Sequence, residues 1–228
     1  MPFTRFAIYY TPPDGPFADF GAHWLGWNVA SGLAVDHISP YGFPTPIDQI
    51  TETPRRYGFH ATLKPPFRLA TDQPVEALCQ ALNTFSSTQK PVNCEGLHIV
   101  ALGSFLALVP LGNASGLNRL AARTVRELDR FRAPPCPQEL VRRRKHHLSQ
   151  AQESNLSRWG YPYVMDEFRF HMTLTGKLSK SDLRATQSAL EPITGPLISQ
   201  PFNIRDLTLA GEDERGMFRQ IQRFDLAA

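Results

Sequence analysis

The sequence predicts an α+β fold built twice: two pseudo-symmetric lobes, each an antiparallel sheet with helices on one side, meeting at a central cleft. Three observations carry that prediction. Strand-like and helix-like segments follow one another in the same order in both halves of the 228-residue chain. The phrase His-x-Thr-Leu stands in each half, in RYGFHATLKPPF (residues 56–67) and in FRFHMTLTGKL (residues 168–178). His60 maps onto His171 at an offset of 111, and Asn93 onto Asn203 at 110. Matching order at a nearly constant offset is the mark of duplication, and helices segregated to one face of an antiparallel sheet make an α+β layer. A chain that is 42% hydrophobic and 20% charged buries its own core. The expectation is one bilobal domain over residues 1–228, with a helical insert at about 133–163.

RFAIYYTP (5–12) is β-branched and aromatic and ends at a Pro pair, which predicts a strand. Residues 17–33 repeat apolar side chains at helical spacing. Residues 35–54, rich in Pro, Gly and Thr, read as a loop. GFHATLKPPF is the first histidine strand, and PVEALCQALNTFSS follows as a helix opened by Pro. VNCEGLHIVALG and SFLALVPLG form two strands joined at Gly103-Ser104. NASGLNRLAARTVRELDRF is a strongly amphipathic helix. The insert holds ELVRRRKHHLSQAQESNLSRWG, one or two short helices. After the second histidine strand come a helix (SKSDLRATQSALEPIT) and two strands (FNIRDLTLAGE and GMFRQIQRFDL).

Composition narrows the function classes. A net charge of +3 is compatible with a small anionic ligand and too weak to argue for a nucleic-acid partner. Three cysteines without CxxC spacing supply neither a disulfide framework nor a zinc knuckle. The start, MPFTRFAIYYTPPDG, lacks the pattern of a signal peptide. The longest apolar stretch, near 97–111, is broken by His98, Gly103 and Ser104, so no membrane span is expected. A cytoplasmic monomer is the expectation.

Side chains alternate faces along a strand. His60, Thr62 and Lys64 therefore share one face, and Phe59, Ala61 and Leu63 the other. Arg169, His171, Thr173 and Thr175 likewise share a face, with Phe170, Met172 and Leu174 turned to the core. If the lobes are related by a pseudo-two-fold axis, the polar faces meet. Two imidazoles across one pocket form an acid–base pair near neutral pH. The threonines supply hydroxyl donors to an oxyanion, and Lys64 or Arg169 neutralises a phosphate. This set suits a phosphodiester and calls for no metal and no cofactor. The RRRKHH run, with His146 and His147, reads as a solvated helix face or as a secondary anion contact. Tyr9, Tyr10, Tyr57, Tyr161 and Tyr163 are each either core or ligand-stacking residues.

The paired His-x-Thr-Leu phrases resemble the 2H phosphoesterase superfamily, which includes RNA 2′,3′-cyclic phosphodiesterases and 2′-5′ RNA ligase-like proteins. RYGFHATLKPPF, RWGYPYV and EFRFHMTLTGKL together resemble a branch assigned to phosphonate metabolism, over nearly the whole chain. The resemblance implies the bilobal α+β arrangement, His60 and His171 as the catalytic pair, and Thr62 and Thr173 as their phosphate-holding partners. It also implies a small cyclic ribose phosphate as substrate. Two alternatives stand beside it: an RNA 2′,3′-cyclic phosphodiesterase, and a non-catalytic phosphate-binding accessory protein.

Overall fold

The computed structural model describes residues 3–38, 42–145 and 147–227. The first half runs β1 (Arg5–Tyr10), α1 (Pro16–Leu25), β2 (Trp27–Asn28), β3 (Leu33–Ala34), α2 (Ile47–Ile50), α3 (Glu52–Arg55), β4 (Ala61–Phe67), α4 (Val75–Ser86), β5 (Val92–Cys94) and β6 (Gly96–Leu102). The second runs β7 (Phe105–Leu111), α5 (Ser115–Glu127), α6 (Pro137–Arg144), α7 (Gln150–Trp159), β8 (Met172–Thr173), α8 (Lys180–Thr194), β9 (Phe202–Ile204), β10 (Asp206–Glu212) and β11 (Phe218–Asp225). The expected α+β class is what the chain adopts.

Both lobes belong to one antiparallel sheet of order β11-β10-β1-β4-β8-β7-β6. The duplicated halves exchange their third strands: β10 pairs with β1, and β6 pairs with β7. The lobes join where β4 meets β8, at the pair Ala61↔Met172. These two residues are equivalent in the duplication. So are Asn93 and Asn203, which pair in the small β5–β9 ribbon. Equivalent residues that pair with one another must straddle a pseudo-two-fold axis, and both pairs do so.

Period-2 alternation divides the sheet's faces. Phe6, Ile8 and Tyr10 of β1 lie in the main core, together with Trp24 of α1, Leu78 and Leu82 of α4, Leu117 and Leu120 of α5, and Leu183 and Leu190 of α8. Ala7 and Tyr9 lie in a second cluster on the other face, with Ala210 and Phe218. The long helices thus cover one face and leave the other for the cleft. Full burial of each such Leu contributes about 1.5–3 kcal/mol, enough to fix which face is inward.

Several boundaries differ from the periodicity. The helix expected over 17–33 stops at Leu25, because Gly26 adopts φ 74° and its N–H closes on Ala22 O at 2.8 Å. The loop expected over 35–54 holds two single-turn helices, α2 and α3. The second histidine strand is only two residues long. After Thr173 the N–H groups of Leu174 and Thr175 both turn to Leu106 O, at 2.9 and 3.3 Å. The cysteines are free, and among the described residues no helix is long and apolar enough to cross a membrane.

Candidate active site

The residues flanking Ala61 and Met172 form the centre of the site. Both of those side chains are fully buried in the core, so their neighbours along each strand project the opposite way. One step either side of that antiparallel pair sets His60 opposite Thr173 and Thr62 opposite His171. All four line one cleft of about 720 Å³ on the sheet face opposite the long helices.

The histidines are anchored alike. His60 Nδ1 lies 2.9 Å from Gly58 O, and His171 Nδ1 lies 2.8 Å from Arg169 O. A carbonyl only accepts, so each Nδ1 carries the proton and donates, and each Nε2 is left for chemistry. Gly58 has φ +71°, and a Cβ there would sit 2.6 Å from Val29 Cβ; glycine is the residue that sets this carbonyl under the ring. His60 Nε2 accepts from the Thr62 hydroxyl at 3.0 Å. Tyr9 packs on the His60 ring, with centroids 3.9 Å apart.

Burial pushes the His60 pKa down to about 4; the His171 ring adds a smaller lowering, and the Gly58 hydrogen bond opposes both. His60 therefore enters any reaction at neutral pH as a neutral imidazole. The ordinary value is 6.5, so between about pH 6.5 and pH 4 the unfolded chain binds a proton that the folded one refuses. Stability falls as the pH drops through that window. The His60 Cε1–H NMR signal is expected to titrate at about pH 4; a midpoint near 6.5 would mean a solvated ring.

The other expected residues divide. Arg169 lines the cleft, its guanidinium steadied by Phe168 O at 2.8 Å and Asp166 O at 3.1 Å. Lys64 does not share the face of His60 and Thr62, and the expectation for it is corrected. Tyr9 pairs with Thr62 but Ile8 pairs with Lys64, so two residues of β4 oppose one step of β1. This bulge at Leu63 turns Lys64 to the core side, the side of Ile8. Its ammonium there donates to Val125 O and Asp129 Oδ1, each at 3.3 Å. Thr175 is also buried, its hydroxyl bonded to Gly176 O and to Leu106 N–H.

Of the tyrosines, Tyr9, Tyr57, Tyr161 and Tyr163 line the cleft, and Tyr10 packs edge-on to Phe202 in the core. The Tyr9 hydroxyl is buried without a hydrogen-bond partner among the described residues, and burial holds its pKa well above the ordinary phenol value. It is a neutral, buried O–H donor in a residue that lines the cleft. Arg5, Arg56, Arg142 and Arg143 also line the cleft and were not singled out individually from the sequence. Alternation along β1 (Arg5, Ala7, Tyr9) held the signal for Arg5. The RRRKHH run is split: Arg142 and Arg143 face the cleft, Arg144 pairs with Glu153, and His146 lies outside the described residues. Among those residues, no three His, Cys, Asp or Glu side chains converge as a metal-binding group.

Fold and site together define an α+β protein with a symmetric two-histidine, two-threonine cleft rich in arginine. The chain belongs to the DUF1045 family, described as a protein of unknown function, whose pattern matches residues 62–219. It is 38% identical over 219 residues to a protein of Janthinobacterium sp. (strain Marseille) named ribose 1,5-bisphosphate phosphokinase PhnN, covering 93% of this chain and 48% of that one. A protein of the same name from Laribacter hongkongensis (strain HLHK9) is 30% identical over 220 residues, covering 93% of this chain and 49% of the other. The chain thus spans about half the length of these curated relatives. Among solved structures it is similar to a phosphoesterase (14% identity, TM-score 0.44, all of both chains) and to apo LigT of E. coli (14%, TM-score 0.45, all of both chains).

Proposed function

We propose that the protein is a metal-independent cyclic phosphodiesterase acting on a small cyclic sugar or nucleotide phosphate, in phosphonate metabolism. The observation that supports this best is the crossed arrangement on the axis, with each histidine opposite the other's threonine and both Nε2 atoms left for chemistry. A cyclic phosphate between them has an imidazole on each side of phosphorus, as in-line displacement requires.

His60, neutral by burial, takes the proton of the attacking water at Nε2. His171, entering the step as the imidazolium with a second proton on Nε2, gives that proton to the departing ester oxygen. Water oxygen bonds to phosphorus, the ring P–O bond breaks, and a phosphomonoester with a free hydroxyl leaves. In the resting cleft the Thr62 hydroxyl donates to His60 Nε2, and a hydroxyl has one proton to donate. Substrate binding transfers that bond to a non-bridging oxygen and frees Nε2 for water. Thr173 serves the other non-bridging oxygen, and Arg169 lowers the cost of the dianionic transition state.

The relatives' name refers to a phosphorylated ribose, which favours a sugar phosphate as substrate class. The test is hydrolysis of ribose 1,2-cyclic phosphate derivatives and nucleoside 2′,3′-cyclic phosphates in excess EDTA, beside the His60→Ala/His171→Ala double variant. Turnover that survives EDTA and vanishes in the variant is expected. Activity that EDTA abolishes and zinc restores would overturn the mechanism. A preference for nucleoside 2′,3′-cyclic phosphates would move the reading to RNA ends.

A further inference from the structure

A cyclic phosphate placed between the histidines does not account for the insert's side of the cleft. At about 720 Å³ the cleft has room for a whole drug-sized ligand. Helix α6 brings Arg142 and Arg143 to its wall. The Arg143 guanidinium carbon lies 4.5 Å from the Tyr161 ring centroid. Its Nε is buried with no hydrogen-bond partner among the described residues. Neither Arg142 nor Arg143 has a carboxylate partner there, whereas the next residue, Arg144, is paired with Glu153. One carboxylate, Glu167, shares the lining, and it accepts from Gln152 at 2.8 Å.

An unsatisfied buried N–H costs about 1–3 kcal/mol, and more on a charged group. With the Arg143 Nε closed off, it is the lack of a carboxylate beside Arg142 and Arg143, on the wall of an otherwise arginine-rich cleft, that points to an anion arriving with the ligand. The planar fork of Arg favours a phosphate or carboxylate held by two parallel bonds.

We propose that the substrate carries a second anionic group, a phosphomonoester remote from the cyclic phosphate, and that Arg143 with Arg142 holds it. This rests on the phosphodiesterase reading of the cleft and names its substrate class more closely: a cyclic sugar phosphate bearing a further phosphate. The insert is thus a specificity element, and turnover of cyclic phosphates lacking the second group suffers for want of these contacts.

The test is calorimetric, so that it stands apart from turnover. Ribose 1-phosphate and ribose 1,5-bisphosphate are titrated into the protein and into Arg143→Met, Arg143→Lys and Arg144→Gln. The bisphosphate is expected to bind the unaltered protein about 10- to 100-fold more tightly than the monophosphate. That ratio should fall to within about 3-fold in Arg143→Met, recover in part in Arg143→Lys, and persist in Arg144→Gln, which removes the same charge one residue away. Equal binding of the two ligands by the unaltered protein would overturn the inference. So would an equal loss in Arg144→Gln, because the effect would then be a long-range field. If Arg143→Met does not fold, Arg143→Lys carries the comparison. Absence of cyclic phosphate hydrolysis with the binding ratio intact would remove the proposed activity and leave the subsite standing.

Discussion

His60→Ala and His171→Ala are each expected to lower kcat on the preferred cyclic phosphate by about 10²- to 10⁴-fold, the usual contribution of a positioned proton-transfer group. The pH profiles should separate the two. In the proposed mechanism His60 is the base, so its loss should remove the acid limb of kcat/KM. His171 is the proposed acid, so its loss should remove the alkaline limb. Thr62→Ala and Thr173→Ala are expected to cost about 10- to 10³-fold, as removal of one oxyanion donor does. The losses should not add, because the proposed mechanism sets all four groups on one phosphorus. A His60→Ala protein that keeps its fold and more than a tenth of its kcat would remove His60 from the chemistry. Exchanged limbs would keep the pair and reverse the roles.

Much of this centre is legible in the sequence because its logic is local and repeated. Alternation assigns His60 and Thr62 to one face, and duplication assigns His171 and Thr173 to the equivalent one. The near-constant offset of His60/His171 and Asn93/Asn203 implies an axis, and the pairs Ala61↔Met172 and Asn93↔Asn203 lie across it. The exchange of third strands between the halves is not legible, since long-range pairing leaves no periodic trace in the chain. Lys64 and Thr175 mislead for a physical reason. Alternation holds only while the ladder is regular, and β4 bulges at Leu63 while β8 ends at Thr173. The arginines of the insert are ambiguous because a run of consecutive charges presents every face of a helix. Only tertiary placement separates Arg143 in the cleft from Arg144 on Glu153.

Lys64, displaced from the cleft by the bulge, makes a large prediction about stability. Its side chain is 2% exposed and faces Asp129, whose carboxylate also accepts from Arg132 Nε at 2.8 Å. Removing one partner of a buried ion pair costs more than the pair itself contributes, because the remaining charge stays buried without compensation. Asp129→Ala leaves the Lys64 ammonium with Val125 O alone, beside the Arg132 cation, and should lower unfolding stability by about 3 kcal/mol at pH 7. The penalty depends on pH with a definite sign. Burial already lowers the Lys64 pKa from 10.5 to about 8, against the opposing pull of Asp129. Without Asp129 it falls further. Near pH 9 the folded lysine is neutral in both proteins, and the difference shrinks to that of a lost hydrogen bond; it widens as the pH drops through about 8. Urea unfolding at pH 7 and pH 9 reads this directly, and an equal loss at both would mean that Lys64 is not the charge left behind. Lys64→Met removes that charge and puts an apolar group beside the Phe67 ring, where the ammonium lies 5.1 Å from the centroid, so Lys64→Met/Asp129→Ala should recover most of the stability lost in Asp129→Ala. Lys64→Met alone should turn over cyclic phosphate within about 3-fold of the unaltered protein, because the bulge, and not the residue type, decides which side of the sheet this cation serves.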